Sequence, residues 1–94
     1  MQRILNFING TYCEPASGTW LPNYNPALGE VYSEVADSDE RDVQLAYEAA
    51  HQAFPQWSGM TQEQRSDILL RVAQGIENAM ETFVQAESND QGKP

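Results

Sequence analysis

Apolar residues recur at short, regular steps along positions 61–91, the spacing that places them on one face of an α-helix. This stripe consists of Ile68, Leu69, Val72, Ala73, Ile76, Ala79, Met80 and Phe83. Thr61, followed by Gln64, predicts a capping box at the first turn, and Gly92 predicts a left-handed residue after the last turn. Pro94 cannot continue a helix. We therefore predict one long helix over 61–91.

A second apolar stripe predicts a helix over 37–58. It consists of Val43, Ala46, Tyr47, Ala50, Ala53, Phe54 and Trp57. Acidic residues at 37–40 supply N-caps and face the positive end of the helix dipole. Pro55 predicts an end or a kink near Phe54. The short link at 58–60 predicts an αα-hairpin in which the two apolar faces meet.

Positions 1–36 show strand and turn signals. Residues 3–8 alternate weakly, and Asn9-Gly10 predicts a type I′ turn and a hairpin with the strand around Cys13. Residues 19–24 and 31–36 predict further strands, with Pro22 in an edge strand, and the turn formers at 25–30 separate them. The predicted fold class is α+β: small antiparallel strands, namely a hairpin plus one or two more strands, followed by two packed helices in a single unit over 1–94.

The length, charge and composition argue against several kinds of binding partner and location. A chain of 94 residues forms one small domain at most, and its net charge of −9, from 14 acidic and 5 basic residues, argues against nucleic acids and anionic membranes as partners. No apolar run approaches the ~20 residues of a membrane span, and the first ten residues do not resemble an export signal. With Cys13 as its single cysteine, the chain is expected to be cytoplasmic.

The candidate reactive residues are few. Cys13 has no predicted base or helix N-terminus beside it, and His51 has no second ligand at metal-binding spacing. The glycines do not form a phosphate-binding loop. We therefore predict no catalytic and no cofactor-binding residue within the 94 positions. An independent enzyme would have to use Cys13 and His51 as its reactive residues.

Four segments carry a family resemblance. They are Asn6-Phe7-Ile8-Asn9-Gly10, Asn25-Pro26-Ala27-Leu28-Gly29-Glu30-Val31, Ala53-Phe54-Pro55-Gln56-Trp57-Ser58 and Gln91-Gly92-Lys93-Pro94. In this order the chain resembles the N-terminal segment of the NAD(P)-dependent aldehyde dehydrogenases. Residues 87–93, with Phe83, Gln85 and Ala86 before them and residues 30–32 earlier, are most similar to the branch that oxidises 2-aminomuconic and 2-hydroxymuconic semialdehydes.

The resemblance implies an enzyme that converts an aldehyde into a carboxylate with NAD. In this family a cysteine attacks the aldehyde, hydride passes to the nicotinamide, and a glutamate activates the water that hydrolyses the thioester. These groups lie beyond the position equivalent to Pro94, so the 94 residues are expected to be an inactive, truncated piece. Its partners would be the remainder of the dehydrogenase chain and, in a homo-oligomer, further copies.

The resemblance also implies a site for a monovalent cation, K⁺ or Na⁺. The family holds it with backbone carbonyls before the Asn-Pro turn, which correspond to Asn23 and Tyr24, and with an acid that corresponds to Asp90. Oxygen ligands suit such a hard cation.

One alternative belongs to another functional class. The chain could be a stand-alone α+β module that binds a protein partner through its apolar helix face. Continuation of the reading frame into a dehydrogenase would favour the family interpretation, and a stop codon would favour the module.

Overall fold

A computed structural model describes residues 1–92, which form five strands and three helices and so confirm the α+β class. The strands are β1 (Gln2–Ile4), β2 (Asn6–Ile8), β3 (Thr11–Cys13), β4 (Trp20–Asn25) and β5 (Glu30–Ala36). The helices are α1 (Glu40–Ser58), α2 (Gln62–Asn78) and α3 (Met80–Gln91). Lys93 and Pro94, which we expected at the end of the last helix, lie outside the described residues.

The hairpin predicted from Asn9-Gly10 is confirmed. Strands β2 and β3 pair in antiparallel register, with Ile8 opposite Thr11. Asn9 has φ 53° and Gly10 has φ 78°, the two positive values that a type I′ turn requires. The turn residues therefore fix the register of this pair.

The other strands form a sheet in the order β1-β5-β4. Strands β4 and β5 are antiparallel, and Pro22 lies in the edge strand β4 as predicted. The expectation of antiparallel strands fails for β1, which runs parallel to β5 with Gln2 opposite Ser33. Residues 3–8 are also not one strand, because the chain leaves the sheet at Leu5 and enters the hairpin at Asn6. Alternation along a segment does not reveal which strand it will pair with.

Helix α1 begins with a capping box. The Asp39 side chain accepts a hydrogen bond from the backbone N–H of Arg41, and the Asp42 side chain accepts one from the backbone N–H of Asp39. The Arg41 guanidinium beside it lowers the pKa of the Asp39 carboxyl, and Asp39 in turn raises the pKa of Arg41. Asp42 is buried and also accepts a hydrogen bond from the Ala16 N–H, so it joins the helix to the preceding loop.

Of the two outcomes expected of Pro55, an end of α1 near Phe54 is wrong, since the helix continues to Ser58, and a kink there stays a prediction. A proline removes one donor from the helical ladder, whereas the residues after it keep their own N–H groups. The helix instead ends at Gly59, whose N–H bonds to the carbonyls of Pro55 and Trp57.

The single helix predicted over 61–91 is divided into α2 and α3. The predicted capping box of Thr61 and Gln64 is present. Ala79, with φ −106° and ψ 17°, leaves the helical region, and it follows Gly75 and Asn78, which are weak helix formers. The apolar stripe crosses the break without interruption, so periodicity gave no sign of it.

The described residues contain no buried Ala, Val, Leu, Ile, Met, Cys or aromatic side chain. The prediction that the helical faces meet is wrong: Tyr47 and Phe54 on α1 are each 62% exposed, and Leu69 on α2 is 59% exposed. Helix α3 lies against β4 and α1 against β2, which gives an open shape of 48 × 33 × 16 Å. Within residues 1–92, the helices lack the combination of length and hydrophobicity needed to cross a bilayer.

Candidate functional site

A β-bulge lies where β4 and β5 meet the end of α3. Asn23 is opposite Ser33, whereas the next residue, Tyr24, is opposite Val31. Tyr32 is therefore an extra residue on β5. In a regular strand the side chains of neighbouring residues point to opposite faces, and a bulge can redirect one of them.

The side chains of Tyr32 and Ser33, at the bulge, both contact the side-chain amide of Asn23. The Asn23 Nδ2 donor lies 3.2 Å from the Tyr32 Oη and 3.1 Å from the Ser33 Oγ. Ser33 is 1% exposed, so its hydroxyl has little access to water and relies on protein partners. Asn23 thus joins β4 to β5 through side chains as well as through the backbone.

Asp90 brings the end of α3 to this amide. Its Oδ1 lies 3.1 Å from the Asn23 Nδ2 and accepts a hydrogen bond from the Tyr32 hydroxyl. Because a carboxylate is a strong acceptor, these charge-assisted bonds are stronger than bonds between neutral groups. We call the four side chains of Asn23, Tyr32, Ser33 and Asp90 the Asp90 cluster.

The backbone on either side holds the cluster in place. After Asn25, a turn forms in which the N–H groups of Leu28 and Gly29 bond to the Asn25 carbonyl. Gly92 ends α3 with φ 69°, as predicted, and a Cβ at this position would lie 3.3 Å from the Ala27 nitrogen. Glycine therefore lets the end of α3 approach the turn closely.

The structure brings together two of the three residues predicted to bind a cation. The side chains of Asn23 and Asp90 are in contact, and Tyr24 lies beside them at the bulge with its side chain 55% exposed. Coordination by the Asn23 and Tyr24 carbonyls stays a prediction. The described residues contain no group of three or more His, Cys, Asp or Glu side chains that could hold a metal ion.

Tyr32 and Ser33 were missed by the sequence analysis. The alternation of residues 31–36 placed them on opposite faces of a strand, and only the bulge brings both to Asn23. The sequence carries no local signal for that bulge.

Cys13 and His51 lie on separate elements. Cys13 is half-buried in β3, with its Sγ 3.5 Å from the Thr11 carbonyl oxygen. His51 is on α1, stacked on the Tyr47 ring with 5.9 Å between the ring centroids. Neither contact supplies the neighbouring base that activates a nucleophile.

Comparison with known proteins gives the chain a family. The model of the aldehyde dehydrogenase family matches residues 12–94. An aldehyde dehydrogenase from Vibrio cholerae is 45% identical over 95% of this chain. The 2-aminomuconic semialdehyde dehydrogenase of Bos taurus is 43% identical over 94% of it. Each match covers 18% of the relative's own length, so the chain corresponds to a small N-terminal part of these proteins.

The fold matches a solved structure as well. The crystal structure of PnpE in complex with nicotinamide adenine dinucleotide superimposes with a TM-score of 0.89 and 34% identity, over 98% of this chain and 19% of that one. The described strands and helices are accordingly a fragment of the aldehyde dehydrogenase fold. Because the family model covers most of its residues, this chain belongs to the aldehyde dehydrogenase family.

Proposed function

We propose that this chain is the N-terminal structural part of an enzyme that oxidises a muconic-type semialdehyde to a carboxylate with NAD. The similarity to the bovine 2-aminomuconic semialdehyde dehydrogenase supports the substrate class, and the NAD-bound PnpE structure supports the cofactor. In this proposal the chain binds neither substrate nor NAD by itself.

The exposure of the helices carries the structural part of the proposal. Val43, Phe54, Leu69 and Phe83 are each more than half exposed, although they belong to regular apolar stripes. Burial of such side chains stabilises a protein by roughly 1.5–3 kcal/mol each, so a folded protein normally covers them. The remainder of a dehydrogenase chain would supply that cover.

The experiment begins with the reading frame that follows the codon for Pro94. The full protein should reduce NAD with 2-aminomuconic or 2-hydroxymuconic semialdehyde, with a kcat/KM on the order of 10-fold or more above that for acetaldehyde. The 94-residue chain should reduce none. A preference for acetaldehyde would contradict the substrate class, and activity of the short chain would contradict the structural role.

We also propose that the Asp90 cluster borders a K⁺ or Na⁺ site, to which Asn23 and Tyr24 contribute carbonyl oxygens. An ion that binds only the folded protein raises its stability as the ion concentration rises. The thermal midpoint of the full protein should therefore rise when choline is replaced by K⁺ or Na⁺, and Asp90→Asn should abolish the rise. Asp67→Asn, which removes an exposed acid from α2, is the matched control.

A further inference from the structure

Arg65, in the first turns of α2, has a buried donor without an acceptor. Its Nε is inaccessible to solvent and makes no hydrogen bond to any described residue. A buried N–H that bonds to nothing destabilises the folded state, and it does so more when the group is charged. Native structures contain few such groups, and a partner that binds the group is one explanation of them.

The chain's own acids do not supply that partner. The sequence has 14 acidic residues, yet the ion pairs within residues 1–92 join Arg3 to Glu34 and Arg41 to Asp39. Arg65 takes part in neither pair. Within residues 1–92, no acid pairs with Arg65 and no group accepts a hydrogen bond from its Nε.

The residues around Arg65 indicate which chemical group would fit beside its guanidinium. Arg65 lines an open cavity of about 420 Å³ together with Trp57, Leu69 and Leu70. Leu69 and Leu70 are 59% and 65% exposed, and Trp57 is half-buried. A guanidinium presents its N–H groups as a planar fork that matches a carboxylate, and a charge among apolar side chains needs a paired opposite charge.

We propose that Arg65 anchors a docking site in which a later segment of the same dehydrogenase chain places a carboxylate against the guanidinium and apolar side chains on Leu69 and Leu70. The occupant is assigned to the same chain because the relatives are more than five times longer than these 94 residues. The inference rests on the proposed function and assigns the contact through which the remainder of the chain binds α2.

The test compares Arg65→Gln with Arg71→Gln in the full protein. Both variants remove one positive charge from α2, but Arg71 does not line the cavity. We expect Arg65→Gln to lower the thermal midpoint by more than about 5 °C, since it leaves a buried carboxylate unpaired. Arg71→Gln should change the midpoint by about 1 °C or less. Arg65→Lys keeps the charge but not the fork and should fall between them, which preserves the test if Arg65→Gln does not fold.

The pH dependence identifies the acceptor. A carboxylate paired with Arg65 would have a lowered pKa in the folded state, so its contribution is present above the unfolded value and is lost as the pH falls through the folded value. The difference between the wild type and Arg65→Gln should therefore shrink as the pH falls below about 4. A difference that does not change with pH would indicate a neutral acceptor and overturn the acidic assignment.

Two further results would overturn the proposal. Equal midpoints for the Arg65 and Arg71 variants would show that Arg65 anchors nothing. A concentration-dependent loss of oligomer in Arg65→Gln, measured by light scattering, would place the carboxylate on a second copy. NAD reduction by the unmutated protein tests the proposed function separately, because it does not depend on either variant.

Discussion

The end of α3 and the apolar face of α2 are both parts of one predicted helix, yet they are held in different ways. Asp90 on α3 is hydrogen bonded to Asn23 and Tyr32, which lie 67 and 58 positions earlier in the chain. Leu69 on α2 is 59% exposed. The comparison shows that residues 1–92 supply their own polar contacts at the sheet but not the apolar cover of their helices.

The largest expected effect is on the isolated chain of 94 residues. Because its apolar stripes are uncovered, we expect a broad thermal transition, binding of a hydrophobic dye and an apparent mass that rises with concentration. Calorimetry, dye fluorescence and light scattering measure these properties. A monomer with a sharp, cooperative melt would show that the isolated chain covers its own apolar helix faces, and this would contradict the difference drawn between α2 and the end of α3.

The next effect is expected from Leu69→Asp in the full protein. A carboxylate on the face that the remainder of the chain covers should lower the free energy of unfolding by about 3 kcal/mol or more. Gln74→Asp, on the same helix, should change it by about 0.5 kcal/mol or less. Denaturant titration measures both. Equal effects would mean that Leu69 stays exposed in the full protein.

Substitutions in the Asp90 cluster should lower the stability less than Leu69→Asp does. Tyr32→Phe and Asp90→Asn should each lower the free energy of unfolding by about 1 kcal/mol and increase amide hydrogen exchange in the last turn of α3. The double variant should show less than the sum of the two effects, because both remove the same bond. Tyr24→Phe is the matched control, as Tyr24 is 55% exposed. Unchanged exchange in Tyr32→Phe would count against the Asp90 cluster.

The smallest effects come from two glycines in the same predicted helix, and they should have opposite signs. Gly92→Ala should destabilise by about 1 kcal/mol, since Gly92 has φ 69° and an added Cβ would lie 3.3 Å from the Ala27 nitrogen. Gly75→Ala should stabilise by up to about 1 kcal/mol, because Gly75 is helical and has open space around it. Thermal melts of the full protein check both signs. Stabilisation by Gly92→Ala would show that the close approach to the turn is absent.

Local signals predicted the features that depend on neighbouring residues. Asn9-Gly10 gave the hairpin, Thr61 with Gln64 gave the start of α2, and Gly92 gave the left-handed end of α3. In each of them the residues that cause the feature lie within about four positions of one another, so a short window of sequence contains the cause.

The features that were missed depend on residues far apart in the chain. The bulge at Tyr32 and the parallel pairing of β1 with β5 arise between strands, which alternation along one strand does not describe. Asp90 was assigned by family resemblance, whereas its bond to Tyr32 required the fold. The break at Ala79 is local, but the continuous apolar stripe concealed it.

The parallel pairing of β1 has a consequence for biosynthesis. Gln2 leaves the ribosome before its partner Ser33, which follows 31 positions later. At about 5–20 residues per second, the first strand must wait on the order of seconds for β5 to be translated. Until then the backbone of residues 2–4 lacks its partner strand, and a charged residue such as Arg3 disfavours pairing with other chains.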